Sequence, residues 1–287
     1  MCLRLFTNML SSSTCVFRIF YPILCTKNKI SIYCSRLNPT KSLKMSTSSS
    51  ESMPLVPWPE VYCFGDSLMQ RGYTEDGGWV CQLSDQLIRR CDVINRGLSG
   101  YNTRWCRMVL PRLLNKDLAK NIVCATILLG ANDSVVKDMN PTQHVPIAEY
   151  RENLIEIVKF FQSVGVEREK IILMAPPPCD EEKYTEYCKE NDRNMSKSQT
   201  ETKLYAETCC SVAEETGVEV IDLFTLMMKV DDWPKFMGDG LHFSKKGSEF
   251  VFNKLWPSID RRTKHLPFTL PDYKDINYTN PEESLEN

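Results

Sequence analysis

The chain has 287 residues, 42% of them hydrophobic, with 35 Lys and Arg against 37 Asp and Glu. A near-neutral balance with no long basic stripe beyond the N-terminal segment argues against a nucleic-acid partner, and a domain of this size buries a core without disulfides or a structural metal. Thirteen cysteines, scattered without a Cys-x-x-Cys pair and several lying in apolar runs, such as Cys63, Cys124 and Cys209, read as free buried thiols of a reducing compartment.

Residues 1–50 contain no Asp or Glu but carry Arg4, Arg18, Lys27, Lys29, Arg36, Lys41 and Lys44 among ten serines. That composition suits a mitochondrial transit peptide. It suits equally an upstream extension left by translation starting at Met45 or Met53. The apolar run over 15–25 is broken by Arg18 and too short to span a bilayer, so no stable membrane insertion is expected. No small-residue cleavage site follows it, which argues against secretion and leaves a cytoplasmic or mitochondrial location. The expected organisation is a disordered basic, Ser-rich extension over 1–52, a folded domain over 53–260, and a Pro-containing, acidic-ended tail over 261–287.

From Pro59 onward, short apolar or β-branched runs alternate with longer amphipathic stretches, the pattern of repeated βα units on a parallel sheet. A strand over 60–64 leads into Gly65-Asp66-Ser67-Leu68 and then a helix over 78–91. A second strand over 92–95 leads into Arg96-Gly97-Leu98-Ser99-Gly100 and a helix over 103–114. A third over 122–129 ends in Gly130-Ala131-Asn132-Asp133, followed by a helix over 146–164 on which Tyr150, Leu154, Ile157, Val158 and Phe161 keep a helical period. A fourth strand over 170–175 runs into three prolines and a helix over 196–216; a fifth over 219–222 precedes Asp239-Gly240-Leu241-His242 and a last helix over 244–256. Right-handed crossovers then close a three-layer α/β/α sandwich, whose ligands sit beyond the carboxyl ends of the strands.

The loops at that rim hold what acyl transfer needs: a nucleophile, a base, a group that orients the base, and donors for an oxyanion. Ser67 stands at a strand-to-helix turn, its hydroxyl exposed and its N–H free. His242 follows Asp239 by three residues with Gly240 between, so one tight loop can set the carboxylate on Nδ1 and leave Nε2 for Ser67. The N–H of Ser67, the N–H of Gly97 and the side-chain amide of Asn132 are the expected oxyanion donors. Asp66 and Asp133 are expected as structural support.

These blocks resemble, in order, those of the SGNH hydrolases, also called GDSL esterases and lipases, with Ser67, Gly97, Asn132 and His242 as the four eponymous residues. The resemblance covers about residues 59–256. It implies Asp239 as the third triad member and a flavodoxin-like five-stranded parallel sheet in the order 2-1-3-4-5. The wording Asn95-Arg96-Gly97-Leu98-Ser99-Gly100-Tyr101-Asn102-Thr103-Arg104-Trp105 and Gly238-Asp239-Gly240-Leu241-His242 looks most like the isoamyl acetate-hydrolysing esterase branch, which implies short-chain acyl esters as substrates. Met69 stands where relatives often carry Thr or Ser.

Other chemistries fare less well. Convergence of Asp66, Asp133, Asp239 and His242 on a cation would permit metal-dependent hydrolysis, but no metal-ligand spacing supports it. The Gly-x-Ser-x-Gly elbow of α/β-hydrolases is absent, since Met69 stands two residues after Ser67. Glycine patterns for nucleotides are absent too, so no cofactor is expected and the partner is a small ester. A carbohydrate or lipid deacylase of the same family and a non-catalytic ligand-binding module remain as alternatives. Tyr101 and Trp105 are candidates for lining an acyl pocket.

Overall fold

The structure, a computed structural model, describes residues 55–75 and 77–285; the N-terminal extension expected over 1–52 lies outside the described residues. Five strands, β1 (Glu60–Gly65), β2 (Asp92–Gly97), β3 (Ile122–Leu128), β4 (Ile171–Ala175) and β5 (Glu219–Asp222), form one parallel sheet in the order β2-β1-β3-β4-β5. This is the order the resemblance implied. Each strand lies on an apolar run read from the sequence.

The helices in chain order are α1 (Ser67–Gln70), α2 (Trp79–Gln86), α3 (Thr103–Val109), α4 (Lys116–Ala119), α5 (Ile147–Ser163), α6 (Glu181–Glu190), α7 (Gln199–Thr216), α8 (Leu223–Met228), α9 (Lys245–Thr263) and α10 (Pro281–Leu285). In β1, Tyr62 and Phe64 face one side of the sheet while Val61 and Cys63 face the other; β4 divides likewise, Ile171 and Leu173 against Ile172 and Met174. The first face packs against Leu154, Ile157, Val158 and Phe161 of α5 and Tyr205, Cys209 and Val212 of α7. The second packs against Trp79, Val80 and Leu83 of α2 and Val251, Leu255 and Ile259 of α9. Both faces being covered is why β1, β3 and β4 read as nearly unbroken apolar runs.

Local signals set several ends. Ser198 caps α7 by accepting the Glu201 N–H, and Gly217, at φ +69°, closes it in the left-handed conformation. Helix α9 runs past its expected end at residue 256, through Pro257 to Thr263. The proline removes one N–H donor, but Leu255, Ser258, Ile259 and Thr263 stay buried on the same helix, and that packing keeps it continuous. The following chain is held by Arg89, which donates to the carbonyls of Leu270 and Pro271 at 2.7 and 2.8 Å, while Phe268 lies under the Arg89 and Arg90 guanidinium groups.

Helix α6 was not expected. Its strongly charged sequence buries only Tyr184 and Cys188, one turn apart, too sparse a stripe to stand out. Among the described residues every cysteine is a free thiol, and all but Cys81 and Cys210 are buried.

Candidate active site

Strand β1 stops at Gly65, and the chain turns at once into α1. Asp66 caps that helix, its buried carboxylate accepting the Leu68 N–H at 2.9 Å. Ser67 is therefore the first helical residue, and its own N–H has no acceptor among the described residues. Its Oγ lies 2.9 Å from Nε2 of His242.

His242 and Asp239 share the loop before α9. Oδ2 of Asp239 accepts from Nδ1 of His242 at 2.7 Å, and Oδ1 accepts the backbone N–H groups of Leu241 and His242 at 2.9 and 2.7 Å. Burial alone would raise the Asp239 carboxyl, but the bond and charge of His242 and the two N–H donors outweigh it and hold the group well below the usual carboxylate range. Gly240 is required here. It has φ +88°, and a Cβ at that position would meet the Tyr184 nitrogen at 2.3 Å. The Arg71 guanidinium stands 3.7 Å from Asp239 Oδ2.

Asn132 lies beyond β3, its Nδ2 donating to the Tyr101 carbonyl at 2.8 Å and making only a long 3.5 Å contact to Asp66. One amide hydrogen is thereby anchored on Tyr101, and Asn132 lines the same cavity as Ser67. Gly97 does not join them. It belongs to β2, its N–H is already given to Asn95 Oδ1 at 2.8 Å, and its Cα faces α1 so closely that a Cβ would sit 2.0 Å from the Gln70 nitrogen. The missing side chain at Gly97 lets α1 pack on β2; it does not open a route to a substrate. Gly100, three residues on, lines the same cavity as Ser67, Asn132 and His242. It has φ +81°, its carbonyl is held by Gln143 Nε2 at 2.8 Å, and its N–H has no acceptor among the described residues. The Gly97 N–H is thus occupied in this structure, and Gly100 is the glycine of this run that lines the cavity.

Asp66 and Asp133 form the buried floor. Oδ1 of Asp133 accepts both the Thr103 N–H, at 2.9 Å, and the Thr103 hydroxyl, at 2.5 Å, which ties the start of α3 to the loop after β3. Burial pushes Asp66 up to about 7 and Asp133 up to about 6, against the pull of those N–H donors. Near them is buried a residue the sequence gave no reason to select. Lys197 is buried, its Nζ donates to the Ala131 carbonyl at 2.5 Å, and its charge acts on both carboxylates. Burial lowers its own pKa.

The cavity over Ser67 has a volume of about 580 Å³. Tyr101 and Trp105 do not line it; their rings meet edge to face at 5.8 Å and border a separate depression with Met108. The three prolines after β4 are buried away from it. Among the described residues Asp66, Asp133, Asp239 and His242 form no cluster with metal-ligand geometry, and no helix is long and apolar enough to cross a membrane. His144 is half-buried, with Nδ1 2.8 Å from the Val135 carbonyl.

A serine, an imidazole and a carboxylate in hydrogen-bonded sequence, with N–H donors around the hydroxyl, can carry out acyl transfer. Comparison with known proteins agrees. The model of the GDSL-like Lipase/Acylhydrolase family matches residues 63–250. The chain is 45% identical over 230 residues to the isoamyl acetate-hydrolyzing esterase 1 homolog of Rattus norvegicus, covering 79% of this chain and 92% of that one, and 43% identical over 229 residues to the Homo sapiens homolog, with the same coverage. The crystal structure of the lipase/acylhydrolase from Enterococcus faecalis superposes with a TM-score of 0.57 at 25% identity, covering 71% of this chain and 97% of that one. The chain belongs to the GDSL-like lipase/acylhydrolase family and is a carboxylic ester hydrolase.

Proposed function

We propose that the chain hydrolyses short-chain acyl esters through an acyl-enzyme formed on Ser67. The observation that carries this reading is the 2.9 Å contact between Ser67 Oγ and His242 Nε2, continued at 2.7 Å from Nδ1 to Asp239. Nε2 takes the hydroxyl proton as Oγ attacks the ester carbonyl, and Asp239 stabilises the imidazolium that forms. The carbonyl oxygen becomes an oxyanion, held by the N–H groups of Ser67 and Gly100 and the Asn132 amide. Collapse of this intermediate expels the alcohol, which takes the proton from His242. Water, deprotonated by the same imidazole, then frees the acid and restores Ser67. The short-chain preference rests on the similarity to the isoamyl acetate-hydrolyzing esterase homologs.

A fluorophosphonate probe should label the protein and leave Ser67→Ala unlabelled. With p-nitrophenyl esters from acetyl to long acyl chains, turnover should peak at short chains and fall by about four to six orders of magnitude in Ser67→Ala or His242→Ala. Labelling that survives Ser67→Ala would overturn the assignment. A cytoplasmic or mitochondrial location is proposed from the acid-free composition of residues 1–50 and the cysteine usage. Fusions beginning at Met1 and at Met45 test it: identical cytosolic distribution removes the transit role.

A further inference from the structure

The cavity over Ser67 is polar and cationic. Arg71, Arg193 and Lys197 line it together with the amides of Asn140, Gln143 and Asn194, and among the described residues no Asp or Glu does. This is a local feature, because once the acid-free first fifty residues are set aside the rest of the chain is clearly acidic. A small apolar ester gains nothing from such walls, whereas an ester bearing a negative charge does.

The three cations are not equivalent. Lys197 is spent on the Ala131 carbonyl and the buried carboxylates, and Arg71 stands against Asp239. Arg193 meets no carboxylate among the described residues. Its guanidinium lies over the Tyr187 ring, 5.7 Å from the centroid, and its backbone N–H is fixed to the Cys188 carbonyl at 2.9 Å. The side-chain N–H groups have no hydrogen-bond partner among the described residues, and a free guanidinium fork can take a carboxylate or phosphate in two parallel hydrogen bonds.

We propose that this site selects esters carrying an anionic oxygen group, a carboxylate or a phosphate, which the Arg193 guanidinium binds while the ester carbonyl lies at Ser67. The proposal rests on the esterase reading above and names the substrate class within it. Arg193 is the specificity-determining residue, and the amides around it complete a wet, hydrogen-bonding wall.

The test compares matched esters that differ in charge. The carboxylate arm sets p-nitrophenyl hemiglutarate against p-nitrophenyl hexanoate; the phosphate arm sets acetoxyethyl phosphate against methoxyethyl acetate. In at least one arm kcat/KM should favour the anion by about tenfold at low salt, as one charge-assisted contact gives, and the ratio should shrink as salt screens it. Arg193→Gln should bring the ratio towards one, and Arg193→Lys should retain only part of it, because an ammonium keeps the charge but not the paired contact. Arg193 is exposed, so neither variant threatens the fold. Turnover of the neutral esters with no anion preference in either arm, or a ratio unmoved by Arg193→Gln, would overturn this proposal and leave the esterase standing. Failure to turn over any of the four esters, with no fluorophosphonate labelling, would overturn both.

Discussion

Lys197 Nζ is bonded at 2.5 Å to the carbonyl of Ala131, the residue immediately before Asn132. A buried ammonium thus sets the position of the loop that carries a proposed oxyanion donor, and its charge acts on the buried Asp66 and Asp133. Replacing Lys197 by Met keeps the volume but removes the donor bonded to the Ala131 carbonyl. Leaving a buried carbonyl unsatisfied costs about 1–3 kcal/mol. We expect Lys197→Met to lower the urea midpoint accordingly and, in the folded fraction, to reduce kcat by about tenfold or more with a smaller change in KM, because the misplaced donor acts in the transition state. An unchanged kcat would show that the Asn132 loop does not depend on this lysine.

Asp66 makes stability depend on pH in a direction opposite to most carboxylates. Its folded pKa lies near 7, above the ordinary 3.8, with burial as the main cause. Between those values the unfolded chain releases the proton while the folded chain keeps it, so Asp66 erodes stability as pH rises from about 4 to 7, by at most about 1.4 kcal/mol per pH unit. Asn in its place retains an oxygen to cap the Leu68 N–H and does not titrate. Unfolding free energies of wild type and Asp66→Asn, measured between pH 4.5 and 8, should therefore diverge in favour of the variant as pH rises. A constant difference across that range would remove the argument.

Much of this site was legible without coordinates. The five strands stood out because β1, β3 and β4 are covered on both faces and so are nearly continuously apolar, and the half-buried edges β2 and β5 still keep β-branched residues. Asp239 and His242 were legible because three-residue spacing across a glycine allows very few loops, and this one bonds back to Asp239 twice. The choice between Gly97 and Gly100 was not. Both stand in one Gly-Leu-Ser-Gly run, and what separates them is the Asn95 side chain, which folds back onto the Gly97 N–H and the Met69 carbonyl. Lys197 was hidden for a related reason. A lysine in a polar stretch before a helix reads as exposed, and only the tertiary packing of α7 near two buried aspartates places it inside.

The two glycines separate by stability. A Cβ at Gly97 would stand 2.0 Å from the Gln70 backbone nitrogen, and neither strand nor helix can yield without displacing α1. At Gly100 the nearest atom would be the end of the Gln143 side chain at 3.5 Å, so Ala there meets open space and bears only the strain of φ +81°. Gly97→Ala should thus cost about 3 kcal/mol or more, as an overpacked core does, and Gly100→Ala about 1 kcal/mol. Paired thermal melts check the order. Equal losses would mean that α1 does not press on β2 as closely as the geometry states.

Asp239 offers the sharpest test of how the base is held. Its Oδ1 takes two backbone N–H groups and its Oδ2 faces Nδ1 of His242. In Asp239→Asn the amide oxygen can keep the two backbone bonds, so the loop should survive, but an NH₂ group then confronts Nδ1. That contact is favourable only if Nδ1 presents its lone pair, which puts the ring proton on Nε2, directed at Ser67 Oγ. The imidazole can then no longer accept the serine proton, and kcat should fall by about 10⁴ with little change in the melting temperature. Asp239→Ala removes the anchors of the Leu241 and His242 N–H groups as well, so it should lose stability in addition to activity. If Asp239→Asn instead retained full turnover, another acceptor would have to hold Nδ1, and the assignment of Asp239 as the orienting group would fall while Ser67 and His242 kept their roles.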